Sequence, residues 1–212
     1  MRSKFDKQLQ ELNEEMIEMG NRIIQSIKQA IEVLVSRDLE KARLIMEGDA
    51  EVDSLQKKIE NICFNLLIQQ QPVARDLRTV TAAMKMVTDM ERIGDHAADI
   101  SEMTICMGER CSIDKFEHIS KMATETMLML NHSIEAYVDK DVHKAIGVIE
   151  HDDVVDALFT EVKKDVIQLI HNSPSEGEEE TDLLLIAKYF ERIGDHATNI
   201  AEWVIYSLQT SV

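Results

Sequence analysis

The sequence predicts an all-α fold: two tandem three-helix bundles forming an elongated six-helix protein with internal pseudo-symmetry. Three observations point there. The 212 residues include only two prolines and seven glycines, with 4% aromatic and 30% charged residues, a composition rich in helix formers. Apolar residues recur at helical spacing, as in Leu9, Leu12, Met16, Met19, Ile23, Ile27, Ile31 and Leu34, and again in Ile45, Val52, Leu55, Ile59, Ile62 and Leu66. The segment ERIGDHAADI at 91–100 returns as ERIGDHATNI at 191–200.

The repeat organises the whole chain. At an offset of 103, Ser36–Ala42 falls on Asp139–Ala145, and Asp49, Val52, Asp53 and Leu55 fall on Asp152, Val155, Asp156 and Leu158. At the repeated decapeptide the offset is 100, which places a three-residue length difference in the loops holding Pro72 and Pro174. The two halves are therefore 1–110 and 111–212. Breaks come where Asp38 and Asp141 suit N-caps, at Gln71-Pro72, and between His171 and Gly177. Around Cys111-Ser112-Ile113-Asp114 the halves join, with Asp114 and Glu117 in capping-box spacing. Helices are expected at roughly 5–36, 39–70, 73–109, 114–138, 141–171 and 180–209. Short connections make neighbours antiparallel, each about 45 Å long.

A formal charge of −17 disfavours nucleic acid and anionic lipid and favours cations or basic protein surfaces. No apolar run is long enough to span a bilayer and the N-terminus lacks a signal-like segment, so a cytoplasmic protein without membrane insertion is expected. Cys63, Cys106 and Cys111 are odd in number without CxxC spacing, so reduced, buried thiols are expected rather than disulfides or a thiolate zinc site. Methionines such as Met16, Met19, Met84, Met122 and Met127 fall on apolar faces and read as core filler. The Glu176–Glu180 run reads as a solvated loop.

The acidic residues of the repeat carry the functional signal. Positions four apart share a helix face, so Glu91, Asp95 and Asp99 form a stripe of carboxylates, as do Glu191 and Asp195. The stacked charges cost a few tenths of a kcal/mol per pair, and a mid-helix glycine at Gly94 or Gly194 adds up to ~1 kcal/mol. The preceding helix carries Asp49 and Asp53, matched by Asp152 and Asp156. Asp53 lies 19 residues before Pro72 and Glu91 lies 19 after it, so antiparallel packing sets them at one height, with Asp49 level with Asp95. In the second half Asp156 and Glu191 lie 18 before and 17 after Pro174. The ladders sit roughly 80–160° from the centres of their apolar faces, which predicts a shallow outer site. The hand of the bundle, on which convergence depends, is not set by the sequence. Carboxylate oxygens suit magnesium, calcium, manganese or iron, and a multivalent cation would reverse the repulsion. Solvated surface acids are the plainer alternative. His96 and His196 lie beside the ladders as candidate ligands or partners for nearby acids, and Arg92 and Arg192 as salt-bridging residues.

Two three-helix repeats, each with Glu-Arg-Ile-Gly-Asp-His-Ala on its third helix, resemble the PhoU family of phosphate-specific transport accessory proteins over essentially the whole chain. The family's E(D)xxxD motif is matched by Glu91 to Asp95 and Glu191 to Asp195, with Asp49 to Asp53 and Asp152 to Asp156 fitting the partner-helix motif. The resemblance implies a cytosolic regulator, often a homodimer and not an enzyme. Its ladders would bind metal clusters, with iron the first candidate and manganese, magnesium, calcium or zinc others. It also implies partners: the ATPase subunit of the phosphate ABC transporter and a sensor histidine kinase, the phosphate-starvation response being kept off when phosphate is abundant. Asn199 in place of Asp99, and Val154 in place of Glu51, predict a second site weaker in charge. The alternatives are a metal-independent helical scaffold and a carboxylate-bridged di-iron enzyme. The latter wants Glu-x-x-His motifs, which the sequence lacks. No nucleophile triad or phosphate-cradling glycine loop supports catalysis.

Overall fold

A computed structural model describes residues 2–70, 74–108, 117–172 and 177–209. It contains α1 (Arg2–Ser36), α2 (Leu39–Gln70), α3 (Ala74–Met107), α4 (Glu117–Asp139), α5 (Val142–Asn172) and α6 (Gly177–Leu208). No strand occurs among the described residues. At a 1.5 Å rise per residue, the 35-residue α1 is about 50 Å long.

The two helix turns that are described in full repeat one device. Arg37 (φ 61°) and Lys140 (φ 58°), the same position in the two halves, both adopt the left-handed conformation. The Arg37 N–H donates to Val33 O at 2.8 Å and the Asp141 N–H to Ala136 O at 2.9 Å, satisfying last-turn carbonyls of α1 and α4. The next residue is the expected N-cap in each case. Asp38 Oδ1 accepts the Lys41 N–H at 3.1 Å, and Asp141 Oδ1 accepts those of His143 and Lys144 at 2.9 and 3.1 Å. At the end of α3, Gly108 (φ 61°) takes the left-handed position that glycine adopts without strain. The proline turns and the expected Asp114–Glu117 capping box fall wholly or partly outside the described residues.

The acidic run before α6 departs from expectation. Gly177–Glu180 is the first turn of α6 rather than solvated loop, and Glu180 is fully buried. Acidic residues suit the positive end of a helix, so the charge run starts the helix instead of preceding it. Glu176 lies outside the described residues.

Each three-helix set packs on itself, and the halves meet along α3 with α6 and α1 with α4, leaving α2 and α5 outermost. One continuous core runs through both halves, from Leu12, Met16 and Ile27 on α1 through Met86 and Met90 on α3 to Phe190 and Ile193 on α6. Met16, Met19 and Met122 are buried, and Met84 and Met127 pack half-buried against the core. At the α1–α4 crossing, a Cβ on Gly20 would lie 2.1 Å from Ile134 Cδ1, so the approach of these helices uses the missing side chain. Cys63 is buried, with its thiol pushed up to about 12 by burial. Cys106, expected to be buried, is exposed: Thr104 and Met107 take the inward face of that turn. Cys111 lies outside the described residues.

Candidate functional site

The acids of neighbouring helices act on one another. Burial first, and then the charges of Asp95, Asp53, Glu91 and Asp99, push the Asp49 carboxyl up to about 6. Burial, followed by Asp156, Asp195, Glu191 and Asp153, likewise pushes Asp152 up to about 6. Every acid expected at the two sites thus lies within electrostatic reach of its group, α2 facing α3 and α5 facing α6. Glu91 and Asp195 are also raised, by burial first and then by their acidic neighbours. The packing of each bundle sets these acids close enough to act on one another, a point the sequence left open.

The two mid-helix glycines lie where the partner helix comes close. A Cβ on Gly94 would lie 3.0 Å from Val52 Cγ1 and 3.4 Å from Asp49 Oδ1; on Gly194 it would lie 2.8 Å from Asp152 Oδ1. Gly94 makes room chiefly for Val52, with Asp49 in ordinary contact beside it, whereas Gly194 makes room for the Asp152 carboxylate itself. The site is shallow, as expected: most of the acids are half-buried, and Asp156 and Asp195 are exposed. Among the described residues no three His, Cys, Asp or Glu side chains stand around a point as ready metal ligands.

Basic residues trim the charge unequally. Arg92 pairs with Asp95 at 3.0 Å and Glu91 at 3.5 Å. Arg192, expected to play the same role, has no carboxylate partner among the described residues. In its place Lys188 reaches both Glu191 oxygens at 2.5 Å, and its charge offsets part of the rise at Asp195. The equivalent residue in the first half is Thr88. An ammonium group is therefore built into the second ladder only, a difference visible in the aligned halves but without meaning until the rotamer is known.

The two departures of the second half, Val154 and Asn199, trace to contacts outside the ladder. Glu51 is tied to α1 through Arg22 at 3.0 Å, so Val154 removes a strut rather than a ligand. The second half joins its first two helices elsewhere, by Glu125 to His151 at 2.6 Å. Asn199 belongs to the seam between the halves, where its Nδ2 donates to Asp89 Oδ1 at 3.2 Å. His196 Nδ1 meets the same oxygen at 2.9 Å. In the first half the roles are exchanged: Tyr189 stands where Asp89 would, its ring 5.5 Å from that of His96, and His96 Nδ1 instead meets Asp99 Oδ2 at 3.1 Å. Both histidines pair with acids at the seam. Burial, before any other influence, holds His96 below the ordinary imidazole range.

Comparison with known proteins agrees with this architecture. The PhoU domain family model matches residues 16–104 and 119–204. A phosphate-specific transport system accessory protein PhoU homolog of Clostridium acetobutylicum is 35% identical over 97% of this chain and 94% of the relative. One from Streptococcus pneumoniae is 31% identical over 97% and 95%. Among solved structures, PhoU from Pseudomonas aeruginosa superposes with a TM-score of 0.89 at 26% identity, covering 96% of this chain and 98% of that one. The phosphate transport system regulatory protein PhoU from Streptococcus pneumoniae gives 0.88 at 30% identity, with 96% of each chain covered.

Proposed function

This chain belongs to the PhoU family, and from that premise we propose that it is a cytosolic regulator of phosphate uptake that binds multivalent metal ions on its carboxylate ladders. It joins the ATPase subunit of the phosphate ABC transporter to a sensor histidine kinase and keeps the phosphate-starvation response off when phosphate is plentiful. It works as a homodimer, and each half, 1–110 and 111–212, is one metal-binding unit.

The observation that carries the metal reading is the set of four or five acids that neighbouring helices bring within reach of one another in each half, where burial first and the neighbouring charges second push Asp49 and Asp152 up to about 6. Each half stacks its carboxylates over successive turns of two neighbouring helices, a density of like charge that a bound cation would offset. The donor chemistry fits hard or borderline cations: iron first, then manganese, magnesium, calcium or zinc. Asp49, Asp53, Glu91 and Asp95 would hold the first ion group, with Asp99 at its edge; Asp152, Asp156, Glu191 and Asp195 would hold the second. Bound ions supply positive charge that turns repulsion between α2 and α3, and between α5 and α6, into attraction. The acidic surface as a whole suits basic faces on protein partners.

Two experiments test the two levels. Calorimetric titration of chelator-treated full-length protein with Mn²⁺ and Fe²⁺ is expected to give micromolar binding; no heat and no gain in thermal stability overturns the metal reading. A strain lacking the protein is expected to express phosphate-starvation genes in phosphate-rich medium. Normal repression there overturns the regulatory reading.

A further inference from the structure

Along the seam, α3 and α6 enclose a cleft of about 430 Å³, lined in part by Asp49, Asp95, His96, Asp99, Arg192 and His196. One histidine comes from each half, and their ring centroids are 5.7 Å apart. Each Nδ1 faces a carboxylate: Asp99 at 3.1 Å for His96, Asp89 at 2.9 Å for His196. Ionised carboxylates only accept, so each Nδ1 carries a proton, and Nε2 is the nitrogen left to meet an ion. His96 is only 6% exposed, and its buried Nε2 has no hydrogen-bond partner. A buried polar atom left this way is costly, and a bound ion would relieve that cost.

The pattern is that of metal-binding histidines, which donate the second ring nitrogen to a carboxylate that fixes tautomer and orientation. The spacing agrees. With metal–nitrogen bonds of about 2.0–2.1 Å and about 1.1 Å from nitrogen to ring centre, two imidazoles on one tetrahedral ion place their centroids about 5.2 Å apart. A separation of 5.7 Å opens the nitrogen–metal–nitrogen angle to roughly 125°. We propose that His96 and His196 are the nitrogen ligands of a divalent transition-metal ion of the zinc, cobalt, nickel or copper class, bound between the two halves and completed by water or a cleft carboxylate. This site adjoins the first ladder, whose Asp49, Asp95 and Asp99 line the same cleft, and differs from it in its nitrogen donors and in taking one ligand from each half. It ties α3 to α6 directly, so its occupancy sets how firmly one half is held against the other.

The test is titration of chelator-treated full-length protein with Co²⁺, whose visible absorption is intense in tetrahedral nitrogen-containing sites, alongside Mn²⁺ as a probe of oxygen sites. The wild type is expected to develop the tetrahedral spectrum, and His196→Gln and His96→Gln each to weaken that Co²⁺ site tenfold or more while the Mn²⁺ isotherm stays as in the wild type. His96 is buried and its replacement can disturb folding, so the partly exposed His196 carries the decision, with circular dichroism confirming its fold. An unchanged Co²⁺ isotherm in His196→Gln, absence of the tetrahedral spectrum in the wild type, or parallel loss of Mn²⁺ binding overturns the proposal.

Discussion

Replacing Asp49 by Asn is expected to stabilise the metal-free protein at neutral pH. The Asp49 carboxyl rises from an ordinary 3.8 to about 6, by burial and by four neighbouring acids. A folded-state pKa above the unfolded one means the folded chain holds the extra proton between those values, so stability falls as pH rises through that window. At about 1.4 kcal/mol per pH unit the full penalty above pH 6 approaches 3 kcal/mol; solvent screening at this half-exposed group reduces it to about 1–1.5 kcal/mol. Asp49→Asn removes that penalty. In a chain of this size the melting temperature should rise by roughly 2–6 °C at pH 7.5, and by about half as much at pH 5, where the folded carboxyl is mostly protonated. The assay is thermal denaturation followed by circular dichroism in the presence of chelator. A lowered melting temperature, or an equal gain at both pH values, refutes the claim that crowded charge at Asp49 opposes folding.

Three further substitutions probe the same contacts. Lys188→Thr, which installs the residue of the first half, is expected to raise the Mn²⁺ affinity of the second ladder about two- to fivefold in calorimetry, the scale of an exposed ion pair. Asn199→Asp places a carboxylate beside Asp89 in the seam and is expected to cost about 0.5–1 kcal/mol in denaturant unfolding at pH 7.5, the scale of an exposed charge pair; the cost should shrink as pH falls toward 4 and the new acid is protonated. Asp141→Ala removes the cap of α5, whose carboxyl is held low chiefly by the Lys144 N–H; the melting temperature should drop at neutral pH, and the difference from wild type should fade as acid protonates the wild-type carboxylate.

The helices were legible because their apolar spacing is regular and their breaks carry capping residues, so Asp38 and Asp141 lie at the ends they punctuate. Counting outward from each proline placed Asp49 near Asp95 and Asp152 near Asp195, since antiparallel rods of known rise fix height. What sequence cannot fix is direction around the rod. The closeness of the acids on neighbouring helices, the Lys188 hold on Glu191 and the exchange of Asp89–Asn199 for Tyr189–Asp99 all depend on which faces meet, and that follows from packing of the whole core. Asn199 shows the consequence. As a letter it looked like a lost ligand, whereas in place it is a donor to Asp89, where a carboxylate would repel. In the sequence Gly94 and Gly194 show only as costly mid-helix glycines; coordinates show the atoms that meet them, those of Val52 and Asp49, and of Asp152 and Val155.

Anomalous scattering from crystals grown with Mn²⁺ tests most directly whether the paired ladders are cation sites. Peaks between Asp49 and Asp95, and between Asp152 and Asp195, with carboxylate oxygens at bonding distance, are the predicted result. Crystals with no anomalous density at either ladder, the same acids still turned toward solvent, would contradict it.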